Sequence, residues 1–167
     1  MVRLEAVLDS WKTVRADTAQ AVEDFPAAEF DFRLTPELMT FRDLARHVVD
    51  AGNALAGMLL DGEDNMATPD FRDRIKKYYS GLTEQSGREE IAAALRGSVE
   101  ELIPRLAVRP AEFYAGMITR FDGQRVTRLE MLQTVKEHEL THRSQMFLYL
   151  RLKGIVPSTT RRRMAKK

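Results

Sequence analysis

No cysteine occurs in the 167 residues. Disulfides, thiolate metal ligands and a cysteine nucleophile are therefore excluded, and the composition fits a reducing compartment. No apolar run reaches membrane-spanning length. The opening Met1-Val2-Arg3-Leu4-Glu5 puts an acid where a signal peptide needs apolar residues, so a cytoplasmic chain without a membrane partner is expected. Acids are missing from the last ten residues, which hold Arg161, Arg162, Arg163, Lys166 and Lys167. Taking those five cations from the net charge of +1 leaves −4 on the rest. A net-acidic body is a poor phosphate-binding surface, so no nucleic-acid partner is expected. Residues 158–167 read as a solvated basic tail behind a single domain over residues 1–157. Histidine is scarce too: His47, His138 and His142 are the only three.

Hydrophobic residues at 44% and charged residues at 31% make an ordinary globular balance. The periodicity is that of an all-α chain. Leu4, Leu8, Trp11, Thr18, Val22 and Phe25 recur at helical spacing and predict a first helix over 3–25, ended by Pro26. Thr40-Phe41-Arg42-Asp43 resembles a capping box and opens a second helix over about 41–60. Its apolar stripe is Leu44, Val48, Ala51, Leu55 and Met58, with His47 inside the stripe. Residues 61–86 form a long connection that holds a candidate short helix over 71–79. A link of that length lets the next helix run parallel to the second. Ser86-Gly87-Arg88-Glu89 reads as another capping box, opening a third helix over about 87–106. Residues 107–125 suit either a short strand or a packed loop, with a tight turn at Asp122-Gly123. Thr127-Arg128-Leu129-Glu130 launches a fourth helix to about Lys153, stopped by Gly154 with Pro157 beyond. That helix is apolar nearly all round, which predicts a central position or an oligomer interface.

The fourth helix carries His138-Glu139-Leu140-Thr141-His142. Four residues apart on a helix, the two imidazoles leave one face and form half of a metal site. The motif also fits a zinc protease, but no Asp, Glu or His follows His142, and the extended pattern would need glycine and histidine where Gln145 and Leu148 stand. A third ligand must come from upstream, and His47 is the only histidine left. Packing of the three rings without a metal is the rival reading; crowded imidazoles would then compete for hydrogen bonds and repel when charged.

These features resemble the DinB-like superfamily, damage-inducible bacterial proteins that bind metal in a four-helix bundle. The resemblance rests on Thr40-x-x-Asp43-Leu44-x-x-His47, on Thr127-x-x-Glu130, on His138-Glu139-x-x-His142-Arg143-x-Gln145, and on Tyr149-Leu150-Arg151 with Gly154-x-x-Pro157. It implies an up-down-down-up bundle with a long crossover between the second and third helices. It further implies His47, His138 and His142 as ligands of a divalent metal such as zinc or nickel, frequent homodimers, and a stress-response setting. Arg143-Ser144-Gln145 departs from the family's usual arginine-glycine-glutamine, and Asp43 stands where many relatives have glutamate.

Three neutral imidazoles leave a divalent ion its full charge and an open position. Such a site activates water, as in a hydrolase, or a low-molecular-weight thiol, as in a transferase acting on a small molecule. Asp43 or Asp50 is a candidate acceptor for the free ring N–H of His47. Gln145 and Thr134 share the ligand face and are candidates to contact bound water. Glu139, about 100° round from His138, is a candidate general base or a structural acid. Tyr149 is a candidate proton donor or a core residue. A non-catalytic module with a structural metal is the alternative from another class.

Overall fold

A computed structural model of the chain describes residues 2–166. In chain order its elements are α1 (Leu4–Asp24), α2 (Phe41–Leu60), α3 (Phe71–Arg74), α4 (Arg88–Ala107), α5 (Ala111–Ala115), β1 (Met117–Thr119), β2 (Arg125–Thr127), α6 (Arg128–Leu152) and α7 (Ser158–Met164). The four long helices, α1, α2, α4 and α6, form the bundle.

Contacts at one end fix their directions. Phe25, just past α1, stacks on Phe41 at the start of α2 with ring centroids 3.8 Å apart. Arg88, at the start of α4, donates to the carbonyl of Phe25. Tyr149, near the end of α6, donates to the carbonyl of Met39, just before α2. One end of the bundle therefore gathers the finish of α1 and α6 and the start of α2 and α4. The order is up-down-down-up, with the crossover between α2 and α4. α1 packs on α4 and α6, and so does α2, which puts α1 and α2 at opposite corners.

Local sequence explains most boundaries. At α6 the expected capping box is complete: Thr127 accepts from the Glu130 N–H, and the Glu130 carboxylate accepts from the Thr127 N–H. Thr40 caps α2 by accepting from the Asp43 N–H, while its own hydroxyl donates to the Asp43 carboxylate. The box expected at Ser86 does not form. Gly87 is the N-cap of α4, and the Ser86 hydroxyl instead accepts from the Thr83 N–H, a turn that competes with the cap. The short helix expected over 71–79 is α3 followed by a 3-10 turn, Ile75–Tyr78. Residues 107–125 hold α5 and β1, and β1 pairs antiparallel with β2 across a turn in which Gly123 takes φ +83°. α6 packs on both α1 and α2, as its apolar composition predicts, yet Leu148 and Leu152 remain exposed on its outer face. The basic segment from Ser158, expected as a solvated tail, forms α7 against α1: Arg162 pairs with Asp17 and Arg161 with Asp24.

The core has two apolar clusters. One holds Trp11, Met58, Leu106 and Met131; the other holds Val22, Phe41, Leu95 and Leu150. On α1, Arg15 falls between them, and on α6, Glu139 does. Arg15 is fully buried and Glu139 is 2% exposed. Arg15 Nε donates to both Glu139 carboxylate oxygens at 2.9 Å, and Trp11 Nε1 donates to one of them at 2.8 Å. Arg15 also donates to the Ser98 hydroxyl on α4. On α2, Gly52 leaves the guanidinium its room, since a Cβ there would lie 2.4 Å from an Arg15 nitrogen. Glu139→Ala strands a buried cation and is expected to cost about 3–5 kcal/mol. The double change Arg15→Met with Glu139→Leu is expected to recover most of that loss, and urea unfolding of both variants measures it.

Candidate metal centre

His47 stands on the stripe of α2 that packs against α6, and His138 and His142 stand one turn apart on α6. The helix seam thus brings the three rings together. His47 Nε2 and His142 Nε2 each lie 3.1 Å from His138 Nε2. Ring centroids are 4.4–5.0 Å apart, and all three residues are half-buried. Two ligands bonded at about 2.05 Å to one tetrahedral ion lie about 3.3 Å apart, close to the spacing found here. The three form a His cluster whose donor atoms can hold a metal ion.

The hydrogen bonding points the same way. His142 Nδ1 lies 2.8 Å from Gln145 Oε1, an acceptor, so Nδ1 carries the proton and Nε2 offers its lone pair. His138 Nε2 has at most one proton, yet it faces two ring nitrogens. Three converging nitrogens cannot satisfy one another, whereas a cation at their centre satisfies all of them. Burial is the main cause holding the His138 pKa down to about 4, with the neighbouring His142 and His47 adding to it. Burial also lowers His47, helped by His142 and partly offset by Asp50. Both rings are therefore neutral near pH 7 and free to ligate.

Most of the supporting residues are engaged within the chain. Asp50 accepts from the Ser80 N–H and hydroxyl, at 2.8 and 2.7 Å. Asp43 is held by Thr40 and by Arg46. Neither carboxylate is hydrogen-bonded to His47. Glu139 turns into the core, with both oxygens occupied by Arg15 and Trp11. Thr134 donates to the carbonyl of Glu130 within its own helix. Tyr149 is buried, and its hydroxyl is committed to Met39. Gln145 orients His142.

Two features escaped the sequence reading. Arg15 interrupts the apolar stripe of α1 between Trp11 and Thr18, which was the available sign of a buried charge. A cavity of about 270 Å³ adjoins His47, lined by Asp43, Arg46, Asp50, Ala51, Ile75 and Tyr79. Its outer wall comes from the crossover, whose fold-back over α2 has no periodic signal.

A half-buried trio of imidazoles able to hold a metal ion, in the seam of an up-down-down-up bundle, defines the class of helical protein. The DinB superfamily model matches residues 10–146, and the chain belongs to that superfamily. No curated protein matches it. Among solved structures it resembles YfiT from Bacillus subtilis, described as a probable metal-dependent hydrolase with an unusual four-helix bundle topology. That match has 18% identity and a TM-score of 0.72, covering 93% of this chain and 91% of YfiT. The dinb-like protein YjoA, also from Bacillus subtilis, matches at 19% identity and a TM-score of 0.68, covering 89% of this chain and 92% of its own. A mutant of the mycothiol-dependent maleylpyruvate isomerase matches at 18% identity and a TM-score of 0.64; the match covers 87% of this chain and 61% of the isomerase. These likenesses establish the fold. No helix is long and apolar enough to cross a membrane among the described residues.

The depressed His138 pKa carries a stability consequence. The unfolded chain binds a proton at about 6.5 and the metal-free folded chain only at about 4, so falling pH favours unfolding. Metal-free protein is expected to lose stability as the pH drops from 6.5 towards 4, with His47 acting in the same direction. Urea midpoints at pH 7, 5.5 and 4.5 check this, and His138→Gln is expected to flatten the profile.

Proposed function

We propose that this chain is a metal-dependent enzyme in which His47, His138 and His142 hold one divalent ion, zinc or nickel, and act on a small molecule. The observation that carries this reading is the convergence of three Nε2 atoms whose lone pairs have no sufficient donors. A divalent ion held by His47, His138 and His142 would supply a Lewis-acid position at which a bound thiol or water loses its proton to solvent near neutral pH. Gln145 fixes the His142 tautomer. Glu139 braces α6 against α1 and takes no part in proton transfer, since its oxygens are occupied within the core.

Between the two nucleophiles, the chain's own residues favour a low-molecular-weight thiol. Water attack gains from a free general base beside the nucleophile; here both oxygens of Glu139 and of Asp43 are engaged within the chain, and Asp50 is held at Oδ1 by Ser80. A thiol needs only to be held as thiolate. The likeness to a mycothiol-dependent isomerase is consistent with this, and the likeness to a described hydrolase keeps water activation as the second reading. Cytoplasmic location and pairing with a second copy complete the proposal; the exposed Leu148 and Leu152 on α6 suit a helix-to-helix contact.

Protein purified without a histidine tag is expected to carry about one divalent ion per chain by elemental analysis, and His142→Ala is expected to lower affinity at least about tenfold. On cobalt-substituted protein, added thiol is expected to produce a thiolate charge-transfer band that His142→Ala abolishes. A full-length, folded protein that takes up no metal would overturn the reading. Metal uptake with a closed spectrum, unmoved by thiol or by pH, would favour a structural ion.

A further inference from the structure

The cavity beside His47 has a chemistry of its own. One wall is apolar, made by Ala51, Ile75 and the ring of Tyr79; the other is charged, made by Asp43, Arg46 and Asp50. Each acid is engaged within the chain, Asp43 at both oxygens and Asp50 at Oδ1. Asp50 accepts two short bonds from Ser80, and Asp43 accepts one of 2.7 Å from Thr40. The donors are poorly served. Arg46 reaches Asp43 at 3.3 Å and the carbonyl of Leu82 at 3.4 Å, both long for a guanidinium, and its Nε is buried without a partner. His47 is engaged through Nε2, and its Nδ1–H has no protein acceptor among the described residues. The cavity therefore presents a guanidinium whose own bonds are long, beside one Asp50 oxygen that Ser80 leaves free.

We propose that the cavity is a subsite for a carboxylate, with Arg46 as its anchor and Ala51, Ile75 and Tyr79 covering a short apolar or aromatic body. A planar guanidinium with two loosely held nitrogens can receive a carboxylate as a paired acceptor and lose little in exchange. About 270 Å³ is below the usual range of drug-sized sites and suits a molecule of roughly ten heavy atoms. Charge sets a condition. Arg46, Asp43 and Asp50 sum to −1, so an anion enters the metal-free site against a weak opposing field. A divalent ion on three neutral imidazoles turns the local sum to +1. Carboxylate binding is therefore stronger in the metal-loaded protein, while its dependence on Arg46 persists in both forms. This names the substrate class for the proposed metal centre, and it rests on that reading for the metal enhancement alone.

The test uses zinc-loaded and metal-free full-length protein, titrated with propionate and benzoate and, as controls, with propionamide and benzamide. Amide chemical shifts of Arg46, Asp50, Ala51 and Tyr79 report occupancy of the cavity. The acids are expected to move these signals and the matching amides are not. Benzoate is expected to bind more tightly than propionate, and Arg46→Gln is expected to weaken acid binding about tenfold in both forms. Arg46→Lys is expected to keep part of the affinity, which separates lost charge from a disturbed fold. Equal binding of acid and amide would overturn the proposal. So would acid binding unchanged by Arg46→Gln, or shifts confined to the residues around His138 and His142. Zinc content is measured on the same samples. Absence of zinc removes the metal-centre reading, while the Arg46 comparison still decides the subsite.

Discussion

A carboxylate and a guanidinium lie together at mid-height in this bundle, and the arrangement of the other parts depends on how they are satisfied. Glu139 and Arg15 are both withdrawn from water, which is tolerable only because Nε, the Trp11 indole and the Ser98 hydroxyl supply close partners. The pair joins α1 to α6, and through Ser98 it reaches α4. Gly52 on α2 is small where the guanidinium approaches. All four helices thus meet around one polar layer between two apolar clusters. A layer of this kind costs stability relative to an apolar filling, but it permits few alternative helix rotations. The rotation of α6 matters, because the residue before Glu139 is His138.

The same seam explains why the histidines stand where they do. Apolar contact between α2 and α6 would be better served by leucines. Three imidazoles bring lone pairs that cannot all be met by one another's protons, and burial keeps His47 and His138 neutral. The frustration is local and is surrounded by a well-packed bundle, the pattern expected where a site is held against the preference of the fold. Gln145 on α6 turns His142, while Asp43 and Asp50, the acids nearest His47, are engaged by the N-cap and by the crossover. The acid next to the ligand, which a protease motif would use as a base, serves the core.

How much of this was legible in the sequence depends on the kind of signal. Helix periodicity and caps carried the bundle: α2 and α6 begin at Thr40 and Thr127, where the side chains announce it, and Pro26 closes α1. The i, i+4 histidines and the lone upstream His47 were enough to bring the three rings together. Ser86 misled because serine serves turns as readily as caps, and the turn at Thr83 won. Glu139 stayed open between base and structural acid because its place in a familiar motif says nothing about which way it faces; the answer lay in Arg15, a charge inside an apolar stripe more than a hundred residues away. The basic residues after Ser158 looked like a solvated end because composition alone cannot reveal that Asp17 and Asp24 wait on α1. Ile75, Tyr79 and the cavity they close belong to a connection without periodicity, and nothing local marks them.

That connection exists because α2 and α4 run in the same direction. Parallel neighbours need a strand of chain to travel the full length of the bundle, and this strand is laid over α2 on the way, past His47. Topology therefore provides the cavity beside His47 with a wall that belongs to no bundle helix. Of the residues in that wall, Ile75 also packs on one apolar cluster, whereas Tyr79 is exposed and can be exchanged without disturbing the imidazoles or the polar layer. A lineage of such proteins can then vary the crossover while the three histidines stay constant, which separates the lining of the cavity from the imidazole cluster.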